Sequence, residues 1–169
     1  MIDLNKIKDD GLVRLYSALI KELKDRKIIR TKNIIGDLGE YLAIYHYNNT
    51  PGLPNLQAAP PGTQNIDAIS RNGERYSVKS SSGNLTGVFY GLNDFNSKDI
   101  EYQKFEFVVI VKFKDDFELD KILELPWDKF LVHKKWHKTM RAWNLSLSKK
   151  VINDCNIIYE IENKLPING

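Results

Sequence analysis

Residues 65–82 read NIDAISRNGERYSVKSSS, and the way this stretch folds back on itself decides the architecture. Two short alternating runs flank Arg71-Asn72-Gly73-Glu74, which is a hairpin signal. Two registers are open. A two-residue Asn72-Gly73 turn pairs residues whose numbers sum to 145, which sets Asp67 opposite Val78 and on the face away from Ser77 and Lys79. A three-residue loop, Arg71-Asn72-Gly73 with Gly73 left-handed, pairs residues whose numbers sum to 144. Asp67 then faces Ser77, Lys79 lies one pleat along on the same face, and Ile66, Ala68, Tyr76 and Val78 share the other. Only this second register separates apolar from polar side chains, so the pattern predicts the odd-length loop.

The flanking sequence supplies the rest of the fold. FEFVVIVKF (Phe105 to Phe113) is a continuous apolar run of strand length and predicts a central strand buried on both faces, with DFELDKILEL after it as the next strand. Upstream, residues 48–64 hold four of the six prolines and two glycines, which limits them to loop or edge strand. Leu12, Leu15, Leu19, Ile20 and Leu23 recur at helical spacing and predict an amphipathic helix from Leu4 to Arg26. A second helix starts at an N-cap, Thr31 or Asn33, and runs through IIGDLGEYLAIYHY to about Tyr47. Pro126 starts a third helix, and AWNLSLS and NIIYEI are weaker strand candidates. The expected class is α/β, a mixed central sheet flanked by helices. With 169 residues, 42% of them hydrophobic, the chain suits a single domain over residues 1–169. Within it we expect N-terminal helices over 4–48, the hairpin and core sheet over 54–125, and a basic segment over 126–162.

Composition excludes several classes. The single cysteine, Cys155, cannot close an intramolecular disulfide, and no apolar run approaches the ~18 residues that span a bilayer. The opening MIDLNKIKDD is charged where a secretory leader is apolar, so a soluble cytoplasmic protein is expected. There is no phosphate-binding GxxxxGK[ST], no GxGxxG and no HExxH. Ser146-x-x-Lys149 has the spacing of penicillin-binding enzymes without their companion motifs. His133 and His137 at i, i+4 would share a helix face as zinc ligands, but no Cys or acid accompanies them, so they read as surface histidines.

Charge is uneven along the chain. Lys129 to Lys150 contains seven of the 25 basic residues and no acid, which leaves 18 basic against 22 acidic residues elsewhere. Lys134, Lys135, Lys138 and Arg141, interleaved with Trp136 and Trp143, are candidate nucleic-acid contacts. The plainer reading is a solvated face over two core tryptophans.

The chemistry lies earlier. Glu40 on a helix, Asp67 in the next strand and Lys79 in the hairpin's second strand form an ordered triplet. The arrangement GDLGEYLA, NIDAIS, YSVKS resembles the PD-(D/E)xK nuclease superfamily, and more narrowly its small uncharacterised bacterial members. The resemblance covers roughly residues 33–113 and implies a restriction-endonuclease-like core. It also implies Mg²⁺ (or Mn²⁺) held by Asp67, the side chain at position 77 and the Val78 carbonyl, with Glu40 contributing directly or through water. Carboxylates suit a hard cation that neutralises the scissile phosphate and acidifies a water, and Lys79 can orient or deprotonate that water. Catalytic residues would be Glu40, Asp67, Ser77 and Lys79, acting on DNA, or on RNA, which the sequence does not exclude. Symmetrical cutting of both strands would require a homodimer. The chain departs from the pattern at Ser77, which stands where Asp or Glu is usual and brings no charge. A non-catalytic binding module on the same fold is therefore the competing reading.

Ordinary roles exist for these residues as well. Glu40 can be a solvated helix acid, and Asp67 and Lys79 a structural ion pair. Gly36 and Gly39 each cost about 1 kcal/mol inside a helix, which points to a close approach there. Ser80, Ser81 and Ser82 suit phosphate-backbone contact, or equally a flexible polar loop.

Overall fold

The computed structural model describes residues 3–60 and 62–161. Among them no helix is long and apolar enough to cross a membrane. A six-stranded mixed sheet has the order β1-β2-β3-β4-β5-β8. Its strands are β1 (Leu56–Ala58), β2 (Ala68–Ser70), β3 (Arg75–Ser81), β4 (Phe107–Phe113), β5 (Leu119–Pro126) and β8 (Asn156–Glu160). Only β3 and β4 run parallel; the other neighbours are antiparallel. The helices are α1 (Asp9–Asp25), α2 (Ile34–Asn49), α3 (Trp127–His133) and α4 (Lys149–Asn153), and a small ribbon pairs β6 (Lys135–His137) with β7 (Ala142–Asn144).

The hairpin takes the odd-length loop. Ala68 pairs with Tyr76 and Ile69 with Arg75, both in the predicted register, and Gly73 has φ +86°. Ser70 N–H donates to the Glu74 carbonyl at 2.9 Å and Gly73 N–H to the Ser70 carbonyl at 3.0 Å, closing the three-residue loop. That φ is open to glycine without steric penalty, which is why the loop has odd length here.

β4 is the centre of the molecule. Val108, Val109, Ile110 and Val111 are all buried, because each sheet face has its own core. On one face α2 packs Ala43 and Tyr47 against Ala68, Tyr76, Val78, Val109 and Val111. On the other, Phe89, Phe105, Phe130 and Leu145 cover Val108 and Ile110. Burial at about 25 cal/mol per Å² of apolar surface makes these two clusters the main source of stability. The parallel β3–β4 step needs a crossover, usually helical. Residues 82–106 make it without a regular helix, tied instead by the bridges Leu85–Ser146 and Phe89–Trp143.

Several boundaries differ from expectation. The first helix is broken: a 3₁₀ turn at Leu4–Lys6 precedes α1. α1 closes with Ile28 N–H on the Leu23 carbonyl and Lys27 N–H on the Lys24 carbonyl, both 2.9 Å, which leaves Lys27 at φ +60°. That position usually holds glycine, and a side chain there costs about 1 kcal/mol. Asn33 is the α2 N-cap, its Oδ1 accepting from Gly36 N–H at 3.2 Å. Pro126 ends β5 and caps α3 rather than lying inside it. His133 and His137 do not share a helix face, because α3 ends at His133 and His137 lies in β6. Nor is His133 a surface residue: it is buried, with Nε2 2.6 Å from Asp154 Oδ2.

Candidate active site

β2 stops at Ala68, one residue after Asp67, whereas β3 continues to Ser81. The far half of β3 therefore has no neighbour in the sheet on that side, and a notch opens where β2 is missing. Asp67 stands at its base. Its N–H donates to the Tyr76 carbonyl at 2.8 Å while its carbonyl accepts from Ala59 N–H at 2.9 Å. In a regular strand both groups of one residue point the same way, so the chain is locally bulged, and bulges re-aim side chains. The Asp67 carboxylate turns into the notch. Its Oδ2 accepts from Val78 N–H at 2.7 Å and lies 3.5 Å from Ser77 Oγ. A carboxylate thus occupies the place of the missing strand's carbonyl. By the same alternation the Val78 carbonyl points to this open side.

Glu40 reaches the notch from α2 and Lys79 from β3. Glu40, Asp67, Val78, Lys79 and Ser80 line a cavity of about 240 Å³. α2 can approach β3 this closely because residue 39 is glycine: a Cβ there would lie 1.8 Å from Ser80 Oγ. Burial holds the Glu40 carboxyl above the usual carboxylate range, and the negative charge of Asp67 pushes it the same way. The Arg30 guanidinium, which pairs with Glu40, opposes that shift, and the Asp37 carboxylate adds to it. A second carboxylate beside Glu40 makes this the kind of site that cations occupy.

Lys79 is not the structural partner of Asp67. Among the described residues no ion pair joins it to either acid. Its ammonium instead sits 5.0 Å from the Phe89 ring centroid, a cation–π contact at the edge of the second core. The lysine is held by an aromatic face, and the same residue lines the cavity.

A hard cation takes oxygen ligands. Glu40, Asp67 and the Val78 carbonyl offer two charges and one neutral oxygen. Mg²⁺ commonly takes one or two carboxylates and keeps several waters, so these residues fit it loosely. Ser77 is fully buried and contributes no charge. Among the described residues no group of three or more His, Cys, Asp or Glu side chains is arranged to hold a metal.

The predicted nucleic-acid contacts separate into two kinds. Ser80 Oγ is buried against α2 without a hydrogen-bond partner, and Ser81 Oγ donates to the Gly83 carbonyl at 3.1 Å and the Leu85 carbonyl at 2.6 Å. Both serve packing and loop closure, which leaves Ser82 as the exposed member. Lys134 is likewise occupied. It pairs with Glu101 at 3.0 Å, both side chains 12–13% exposed, and stacks on Trp143 at 4.2 Å. Arg141 lies 3.5 Å from Asp94, and Lys129 4.0 Å from Asp154. Lys135 and Lys138 are free of ion pairs among the described residues. The apparent excess of charge is thus partly cancelled by acids distant in sequence.

Two functional neighbours escaped the sequence. Arg30 contacts Glu40 from a segment without periodicity, and only the fold reveals it. Asp37 is buried, and its Oδ2 accepts from Arg30 N–H at 2.6 Å and from Thr31 N–H, fixing the approach to α2. Its spacing on the Glu40 helix was the one available hint. No protein-family model matches this chain, and no curated protein matches it.

Proposed function

We propose that this protein is a metal-dependent nuclease that hydrolyses phosphodiester bonds in DNA, on a restriction-endonuclease-like core. The observation that carries this reading is the shared cavity: Glu40, Asp67, Val78 and Lys79 open on one notch, and Lys79 is unpaired there among the described residues. A divalent cation such as Mg²⁺ or Mn²⁺, when bound, supplies neutralisation of the phosphate and activation of water. Asp67 and Glu40 would hold it with the Val78 carbonyl. The Val78 N–H already orients Asp67 through Oδ2. Lys79 donates to a non-bridging phosphate oxygen or to the attacking water as charge builds in the transition state. Arg30 shares Glu40 with the cation and offers a second positive group to the substrate. Two carboxylates rather than three imply weak loading, filled at millimolar rather than micromolar concentration.

One observation favours a second reading. Ser77 is neutral and buried where an acid would complete the set, so the same fold can serve as a binder of nucleic acid or of a protein partner without turnover. A cleavage assay on plasmid, linear, branched and single-stranded DNA and on RNA, with Mg²⁺ or Mn²⁺, separates the two. The nuclease reading expects cleavage by the wild type and its loss in Lys79→Ala. Absence of cleavage on every substrate, together with no Mn²⁺ uptake by calorimetry at millimolar concentration, leaves the binder.

A further inference from the structure

Three of the seven cations of residues 129–150 are paired with acids, whereas the three lysines of a second basic cluster are not. Lys24, Lys27, Arg30 and Lys32, with Ile29 and Thr31, line a trough of about 450 Å³ into which no acidic side chain projects. The three lysines are exposed and have no ion pair among the described residues. Arg30 and Thr31 also line an adjoining cavity of about 350 Å³ that contains Asp37, Glu40 and Asp67. The trough therefore leads into the candidate active site, with Arg30 at the junction.

Three features show that the trough is held in shape. Ile29 is buried and pins its floor, and the Asp37 carboxylate holds the backbone of Arg30 and Thr31. Lys27 occupies the left-handed C-terminal position of α1, where glycine would be the relaxed choice. The lysine at that position lines the trough. Positive and negative groups are thus segregated along one path, four cations first and the carboxylates beyond them.

We infer that the trough formed by Lys24, Lys27, Arg30 and Lys32 binds the phosphate backbone of a nucleic-acid strand and feeds it to the Glu40–Asp67 notch. Its ligand class rests on the nuclease reading above, but binding and cleavage are measured separately. Point charges on flexible stems beside one arginine track a backbone without reading bases. The trough therefore sets affinity and salt dependence rather than sequence preference.

The test is fluorescence anisotropy of a labelled oligonucleotide, single-stranded and duplex, in EDTA across a salt series. The variant is Lys27→Gly combined with Lys32→Gln. Glycine relaxes the backbone at residue 27, so this protein should melt no lower than wild type, and lost binding cannot be ascribed to unfolding. The trough predicts roughly tenfold weaker binding, and a log Kobs against log [salt] slope shallower by about 1.4–1.8, two phosphate contacts' worth. The competing pair, Lys135→Gln with Lys138→Gln, removes the same charge from the other basic segment. Unchanged affinity and slope in the trough variant, whether binding is lost in the competing pair or in neither, overturns the inference, as does absence of oligonucleotide binding by the wild type. Binding through the trough without cleavage in Mg²⁺ overturns the nuclease reading alone. Cleavage that is indifferent to the trough variant overturns the trough alone.

Discussion

The α2–β3 seam can be tested by a double-mutant cycle at Gly39 and Ser80. A Cβ added at residue 39 meets Ser80 Oγ at 1.8 Å, Ser80 Cβ at 3.1 Å and Val111 Cβ at 3.5 Å. The first contact is impossible, the second is tight and the third is ordinary. Clearing the first contact forces the buried hydroxyl out of its rotamer and α2 to shift with it, whereas the second alone asks only a few tenths of an ångström. Overpacking of this kind costs about 1–3 kcal/mol, against a helix-propensity gain of about 1 kcal/mol for alanine over glycine. The difference runs from about 0 to about 2 kcal/mol, and because the Oγ contact must be cleared Gly39→Ala should fall in the upper half of that range. Ser80→Ala removes a buried hydroxyl that lacks a partner, and should stabilise by up to about 1 kcal/mol. In the double variant only the tight Cβ contact survives, so Gly39→Ala should cost less than about 0.5 kcal/mol there. The coupling energy is then about 1 kcal/mol, measurable by urea denaturation at constant m-value. Equal costs for Gly39→Ala in both backgrounds would refute the argument. So would a destabilising Ser80→Ala, which would mean that the hydroxyl is satisfied. Because Glu40 is the next residue on α2, the same shift should weaken metal uptake in the single variant and restore it in the double.

Two further outcomes follow from the site. The folded Glu40 carboxyl binds its proton more tightly than the unfolded one, whose ordinary value is 4.5. The contribution is fully present below 4.5 and is lost as pH rises through the higher folded value. Glu40→Gln should consequently be more stable than wild type at pH 7 in urea melts, with the difference vanishing below about pH 4.5; a constant difference across pH would contradict this. Ser77→Asp places a second carboxylate in a fully buried position beside Asp67, and should cost about 2–4 kcal/mol without metal. Its thermal shift with Mn²⁺ should exceed that of wild type, and an equal shift would show that position 77 does not face the cation.

The hairpin and central strand were legible because their signals are local. Alternation over Ile66, Ala68, Tyr76 and Val78 fixes the register, and the unbroken run of Val108 to Val111 marks a strand buried on both faces. Glu40, Asp67 and Lys79, which line one cavity, are singled out in the sequence by residue type and order. The bulge at Asp67 was not legible, since it depends on β2 ending where it does. The crossover over residues 82–106 was equally opaque, because bridges rather than periodicity hold it. Arg30 with Glu40 and Lys134 with Glu101 are ten and 33 residues apart, and no spacing rule connects such pairs. Charge counted along the chain thus overvalues residues 129–150 and passes over residues 24–32, where Lys24, Lys27 and Lys32 have no ion pair among the described residues.

Asp67 is bonded through its own backbone to both neighbours, Ala59 on one side and Tyr76 on the other. The turn between residues 60 and 66 therefore closes a circuit whose two ends are already fixed. Insertions or deletions in that turn can reshape the wall of the cavity without displacing the carboxylate. The position of the carboxylate and the shape of the space beside it are thus set independently: one by the sheet, the other by the connection.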